Sequence, residues 1–145
     1  KAFGCHVIYY STSGKNTQPG YERTDLDTLL RESDIVSVHA PLTDATRGLM
    51  NREAFEKMKP TAVFLNVGRG PIVVEKDLAE ALKCGQIAAA GLDVLSAEPM
   101  REDNPLREIK DSNRLFITPH IAWASVEART RLMNIILGQV KEYFK

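Results

Sequence analysis

Short apolar runs rich in β-branched and aromatic residues recur along this chain, and segments of helical spacing separate nearly all of them. The runs at residues 5–10 (CHVIYY), 34–39 (DIVSVH), 61–67 (TAVFLNV), 86–94 (QIAAAGLDV) and 114–118 (RLFIT) each predict a strand. A helix is expected over 25–32, where Leu26, Leu29 and Leu30 share a face behind a Thr24 or Asp25 cap. A second is expected over 51–58, stopped by Pro60, and a third over 75–83, ended by Gly85. A long helix over 124–143 places Leu132, Ile135, Ile136 and Val140 on one side. Strands joined through helices run parallel, because a crossover returns the chain to the same end of the sheet. The expected fold class is therefore α/β with a doubly wound parallel sheet.

Composition narrows the partners. The 145 residues carry 19 Lys plus Arg against 19 Asp plus Glu, so no net charge favours a nucleic acid or a membrane surface. No apolar run approaches the roughly 20 residues of a membrane span, and no signal-peptide pattern precedes the first strand. Cys5 and Cys84 match neither a CxxC nor a zinc spacing, so free thiols, no metal site and a cytoplasmic location are expected.

In an open α/β sheet, ligands bind at the carboxyl ends of the strands. Three chemically useful residues fall there: Arg69 in Asn-Val-Gly-Arg-Gly, Glu98 in Ala-Glu-Pro, and His120 in Thr-Pro-His-Ile-Ala-Trp. A guanidinium grips a carboxylate through two parallel hydrogen bonds and so orients an adjacent keto group. An imidazole exchanges protons near neutrality, and a carboxylate beside it favours the charged form. Cation, carboxylate and imidazole together suit reduction of the carbonyl of a 2-keto acid. Taken singly, each has a plainer reading: a turn arginine, a surface carboxylate, a capping histidine. Trp123 reads either as a pocket wall or as packing at a helix start. His6 lies on a strand far from these three residues, and His39 is expected to contribute backbone near the ligand.

These words, with Ala-Gly-Leu-Asp-Val-Leu at 90–95 between them, resemble the D-isomer-specific 2-hydroxyacid dehydrogenases in order and spacing, from about Cys5 to the C-terminus. Thr-Pro-His-Ile-Ala-Trp-Ala-Ser looks most like the glycerate (hydroxypyruvate) dehydrogenase branch. The resemblance implies a Rossmann-like domain, NAD or NADP as cofactor, a small 2-keto or 2-hydroxy acid as substrate, and a homodimer. It implies Arg69, Glu98 and His120 as catalytic residues, with Glu98 holding the imidazole. Asp93 would accept from the nicotinamide carboxamide, Ala40, Pro41 and Thr46 would line the adenosine half, and Val67 and Gly68 would offer backbone beside the cofactor. A dinucleotide-sensing corepressor-like module on the same scaffold and an inactive fragment are the alternative readings.

Two departures stand out. The family's opening strand and Gly-x-Gly-x-x-Gly loop have no counterpart, and Lys1-Ala2-Phe3-Gly4 resembles the tail of the helix that follows them. Residues 1–145 are thus expected to be a partial dinucleotide-binding domain, inactive alone. Runs 5–10 and 61–67 should then lack the strand between them, and helix 124–143 should pack toward a substrate domain. Second, where NAD enzymes of this kind place an acidic residue, Ser11 follows the first strand, with Lys15 nearby, which leaves NADP open.

Overall fold

The computed structural model describes residues 3–144. The reading of residues 1–4 as a helix tail falls partly outside them; Phe3 and Gly4 form a turn.

Four parallel strands make the main sheet, in the order β3 (Ile35–Val38), β4 (Val63–Asn66), β5 (Ala89–Leu92) and β6 (Leu115–Ile117). Each is shorter than its apolar run because the ends of the run leave the ladder for loops. Register aligns Val36, Phe64, Ala90 and Leu115 in one row, and Val38, Asn66, Leu92 and Ile117 in a parallel row on the same face. On this face lie α1 (Leu26–Glu32), α2 (Arg52–Lys57) and α3 (Glu75–Cys84), whose Leu30, Phe55, Leu78 and Leu82 join Phe64 in the core. Phe55 and Phe64 meet edge to face with ring centroids 5.4 Å apart, a geometry favoured by the ring quadrupoles.

The helix boundaries follow from local chemistry. Asp25 caps α1 by accepting from Thr28 N at 2.9 Å. Asn51 caps α2 through Ala54 N, and Gly85 ends α3 in the left-handed conformation at φ 75°.

The first part of the chain differs from expectation. Run 5–10 supplies only β1 (Ile8–Tyr9), which pairs in parallel with β2 (Glu22–Arg23), a strand the sequence pattern does not announce. With two residues per strand and a polar pattern, β2 carries no apolar alternation to detect. The pair forms a separate sheet. Between it and β3 lies a cavity of about 410 Å³ lined by residues 5–8 and 32–35. The open edge is therefore at β3, not at run 61–67, because β4 is paired on both sides by β3 and β5.

Among the described residues, helices cover one face of the main sheet. On the opposite face Ile35 is 60% exposed and Phe116 65%. The last helix, α4 (Val126–Tyr143), starts from a Ser125 cap and buries none of its residues. Its apolar side chains, Leu132 to Val140, stand in solvent.

Truncating Phe64 removes a fully buried ring that touches the helix layer. Phe64→Ala should cost about 3–5 kcal/mol, read as a lowered urea midpoint.

Candidate active site at the carboxyl edge of the sheet

Just past each strand, the chain ties back to its neighbour. Val67 N donates to Val38 O, Asp93 N to Asn66 O at 3.0 Å, and Thr118 N to Leu92 O at 2.9 Å. These bonds extend the ladder by one residue per strand and align the three loops that carry Arg69, Asp93 and His120.

The Arg69 loop is organised by Asn66, which is fully buried in the core-facing row. Its Nδ2 donates to Arg69 O at 3.0 Å, and its Oδ1 accepts from Gly68 N at 3.1 Å. A buried amide satisfied at both ends is stable only in this loop geometry. Arg69 itself is exposed and donates one Nη1 hydrogen to Gly68 O at 2.7 Å, with no carboxylate partner among the described residues. Gly68 packs over Ala40, where an added Cβ would lie 3.1 Å from Ala40 O. That close approach brings Ala40 together with Val67 and Gly68. At Gly70 a Cβ would fall 2.0 Å from the Leu95 carbonyl carbon and oxygen, so only glycine lets these backbones touch.

Asp93 is buried and its carboxylate binds the loop after β6. Oδ1 accepts from Thr118 Oγ1 at 2.6 Å and Ile121 N at 2.8 Å, while Oδ2 accepts from Ala122 N at 2.9 Å. Burial pushes this carboxyl up, but the bonds from Thr118, Ala122 and Ile121 and the nearby His120 outweigh it, and the net direction is down.

The loop after Asp93 returns Glu98 to the edge. Glu98 Oε1 accepts from Leu95 N at 2.9 Å, and Oε2 meets His120 Nδ1 at 2.9 Å. The Leu95 amide first, and the His120 ring second, hold the Glu98 carboxyl below its ordinary range. Glu75 steadies the same loop from the first turn of α3, accepting from Ser96 N at 2.7 Å and Asn104 Nδ2 at 2.8 Å. With Nδ1 on Glu98, the ring's remaining proton position is Nε2. Nε2 is therefore the ring atom that can exchange a proton with a bound molecule.

The other sequence-derived positions are more dispersed. Thr46 is buried, and its hydroxyl closes its own turn by donating to Pro41 O at 2.7 Å and accepting from Thr43 N at 2.8 Å. Pro41 is exposed beside it. Ser11 follows β1 on the separate sheet, 6% exposed, with no partner for Oγ. A buried hydroxyl without a partner at the end of a strand fits a ligand that supplies one. His39 Nε2 lies 2.9 Å from Ser37 Oγ, and His6 Nε2 is 3.6 Å from Glu22 Oε2. His39 follows β3 at the same sheet edge, next to Ala40, and His6 precedes β1 on the separate sheet. Cys5 and Cys84 are free thiols, and no cluster of metal-ligating side chains occurs among the described residues.

The sequence reading gives Asn66 and Glu75 no role. The signal for Asn66 is a polar residue in core register, two positions after Phe64 on a buried face. Glu75 reads from sequence only as an acidic residue favourable at a helix start.

The model of the D-isomer specific 2-hydroxyacid dehydrogenase NAD binding domain matches residues 1–122. A hydroxypyruvate reductase from Blautia hydrogenotrophica is 48% identical over 148 residues, covering 100% of this chain and 45% of that protein. A glyoxylate reductase from Thermofilum pendens is 43% identical, covering 92% of this chain and 40% of that protein. Among solved structures, an Aquifex aeolicus D-lactate dehydrogenase complexed with NAD and lactic acid superposes with TM-score 0.88. It is 29% identical, and the match covers 99% of this chain and 47% of that one. An acyclic imino acid reductase in complex with NADPH and D-Arg gives TM-score 0.87 at 34% identity, covering 99% of this chain and 44% of that one. The chain belongs to the D-isomer specific 2-hydroxyacid dehydrogenase family and comprises residues of its NAD-binding domain. It spans about half the length of the relatives it matches.

Two outcomes follow from this geometry. Gly70→Ala forces the Leu95 backbone aside and should destabilise the fold by about 1–3 kcal/mol, measured by urea denaturation. Glu98, with its carboxyl held low, contributes to stability in full above the unfolded-state value. That contribution is lost as the pH falls through the lower folded value. The stability gap between wild type and Glu98→Gln should therefore shrink as the pH falls through the carboxylate range, followed by denaturation at successive pH values.

Proposed function

We propose that this chain carries the cofactor-binding half and the catalytic groups of an oxidoreductase that interconverts 2-keto acids and D-2-hydroxy acids. The observation that supports it is the His120–Glu98 pair at 2.9 Å, set at the same sheet edge as the exposed, unpaired Arg69. When bound, a reduced nicotinamide would supply the hydride. His120 donates its Nε2 proton to the oxygen that becomes the hydroxyl, and Glu98 keeps the ring oriented. Arg69 binds the substrate carboxylate through two parallel bonds, presenting the keto carbon next to it. Asp93 Oδ2 accepts only one internal bond and has capacity for the carboxamide of the cofactor.

The likeness to hydroxypyruvate and glyoxylate reductases supports a small substrate of that kind. Ser11, Ala40, Pro41, Thr46, Val67 and Gly68 are assigned to the dinucleotide, NAD or NADP, with Ser11 at the adenosine ribose. The cavity between β1 and β3 is assigned to the strand that the family's pattern places before β1, and the apolar side of α4 to a contact with the substrate domain. A cytoplasmic homodimer completes the reading.

The test uses the full-length protein that carries this chain. His120→Ala should lower kcat for hydroxypyruvate reduction by about 100- to 10,000-fold while NADH or NADPH still binds, followed by nucleotide fluorescence. Arg69→Lys should raise KM by about tenfold or more, because a point charge lacks the planar fork. Wild-type turnover in the His120 variant would overturn the assignment.

A further inference from the structure

His120 is the one residue other than glycine with positive φ among those described, at 56°. That left-handed conformation is costly for a side chain with a Cβ, and it persists only when its surroundings over-determine it. His120 N donates to Thr118 O at 3.0 Å on the side before the ring, and two further restraints act on the peptide plane that joins His120 to Ile121. At one end its N–H, on Ile121, donates to Asp93 Oδ1 at 2.8 Å. At the other its carbonyl, on His120, accepts from Trp123 Nε1 at 2.8 Å. The plane is gripped at both poles, so it cannot rotate without breaking one bond or the other. Rotating it would change the backbone angles on which the direction of the His120 side chain depends, and with them the 2.9 Å contact to Glu98.

Trp123 earns no place here by burial, since it is 52% exposed. The hydrogen-bonding atom it offers the loop is its indole N–H. We propose that Trp123 is a positioning residue for His120: its indole N–H holds the His120 carbonyl so that the imidazole stays on Glu98 in proton-transfer geometry. The role rests on the reading of His120 as the proton donor.

The experiment separates the donor from the ring in the full-length protein. Trp123→Phe keeps an aromatic ring without the N–H. Replacing Trp123 by 3-benzothienylalanine keeps the indole shape and exchanges the N–H for sulfur. Both should lower kcat by about three- to tenfold, the worth of one net hydrogen bond, with KM for the 2-keto acid and the affinity for nucleotide unchanged within about twofold. In both, the ring ¹⁵N resonances of His120 should move away from the pattern of an Nδ1-bonded imidazole. A benzothienyl variant with wild-type kcat and wild-type His120 resonances would overturn the proposal and leave Trp123 as packing. If His120→Ala retains full turnover, the reaction reading fails instead. The resonances still decide whether Trp123 holds the ring, because they are recorded without substrate.

Discussion

The carboxylate of Asp93 is the interaction on which the functional edge depends. It is buried at the end of β5, tied by its own amide to Asn66 O, and it accepts from Thr118, Ile121 and Ala122 of the loop beyond β6. A buried charge is tolerated only when hydrogen bonds replace its hydration, and each such charge-assisted bond is worth about 1.5–3 kcal/mol. The arrangement therefore permits very few loop conformations. One of them places His120 at positive φ with its ring on Glu98.

Asn66 does for the Arg69 loop what Asp93 does for the His120 loop, and the Asp93 N to Asn66 O bond joins the two. Both are polar residues at the place where a row of apolar side chains reaches the end of the sheet. Beneath them the packing is wholly apolar, with Phe64 against Phe55 and the leucines of α1 and α3. The layer fixes strand spacing and register, and the two polar clamps convert that rigidity into placed functional groups. Gly70 adds the third requirement, contact between the Arg69 loop and the Leu95 backbone that leads to Glu98.

Local chemistry was readable residue by residue. The cap at Asp25, the stop at Gly85 and the apolar runs of β3 to β6 have short-range causes, so pattern reasoning places them within a few residues. The strand at Glu22–Arg23 was not readable, because two exposed polar residues carry no period and owe their state to the partner strand at Ile8–Tyr9. Placing the open edge at run 61–67 failed for a related reason. Which strands neighbour one another is a property of the crossovers, and no local pattern distinguishes β3 from β4.

By itself, the sequence determined the parallel α/β class, the positions of most elements and the candidacy of Arg69, Glu98 and His120, whose motifs sit where strands end. Tertiary structure decided what those residues can do. Glu98 and His120 are 22 positions apart in sequence, yet their side chains meet at 2.9 Å. That contact requires the turn gripped by Asp93 and Trp123 and the loop held by Glu75. Hydrogen bonds between such separated groups depend on distances and angles that exist only after the strands have packed. A linear pattern can name the participants, and the packed sheet sets their geometry.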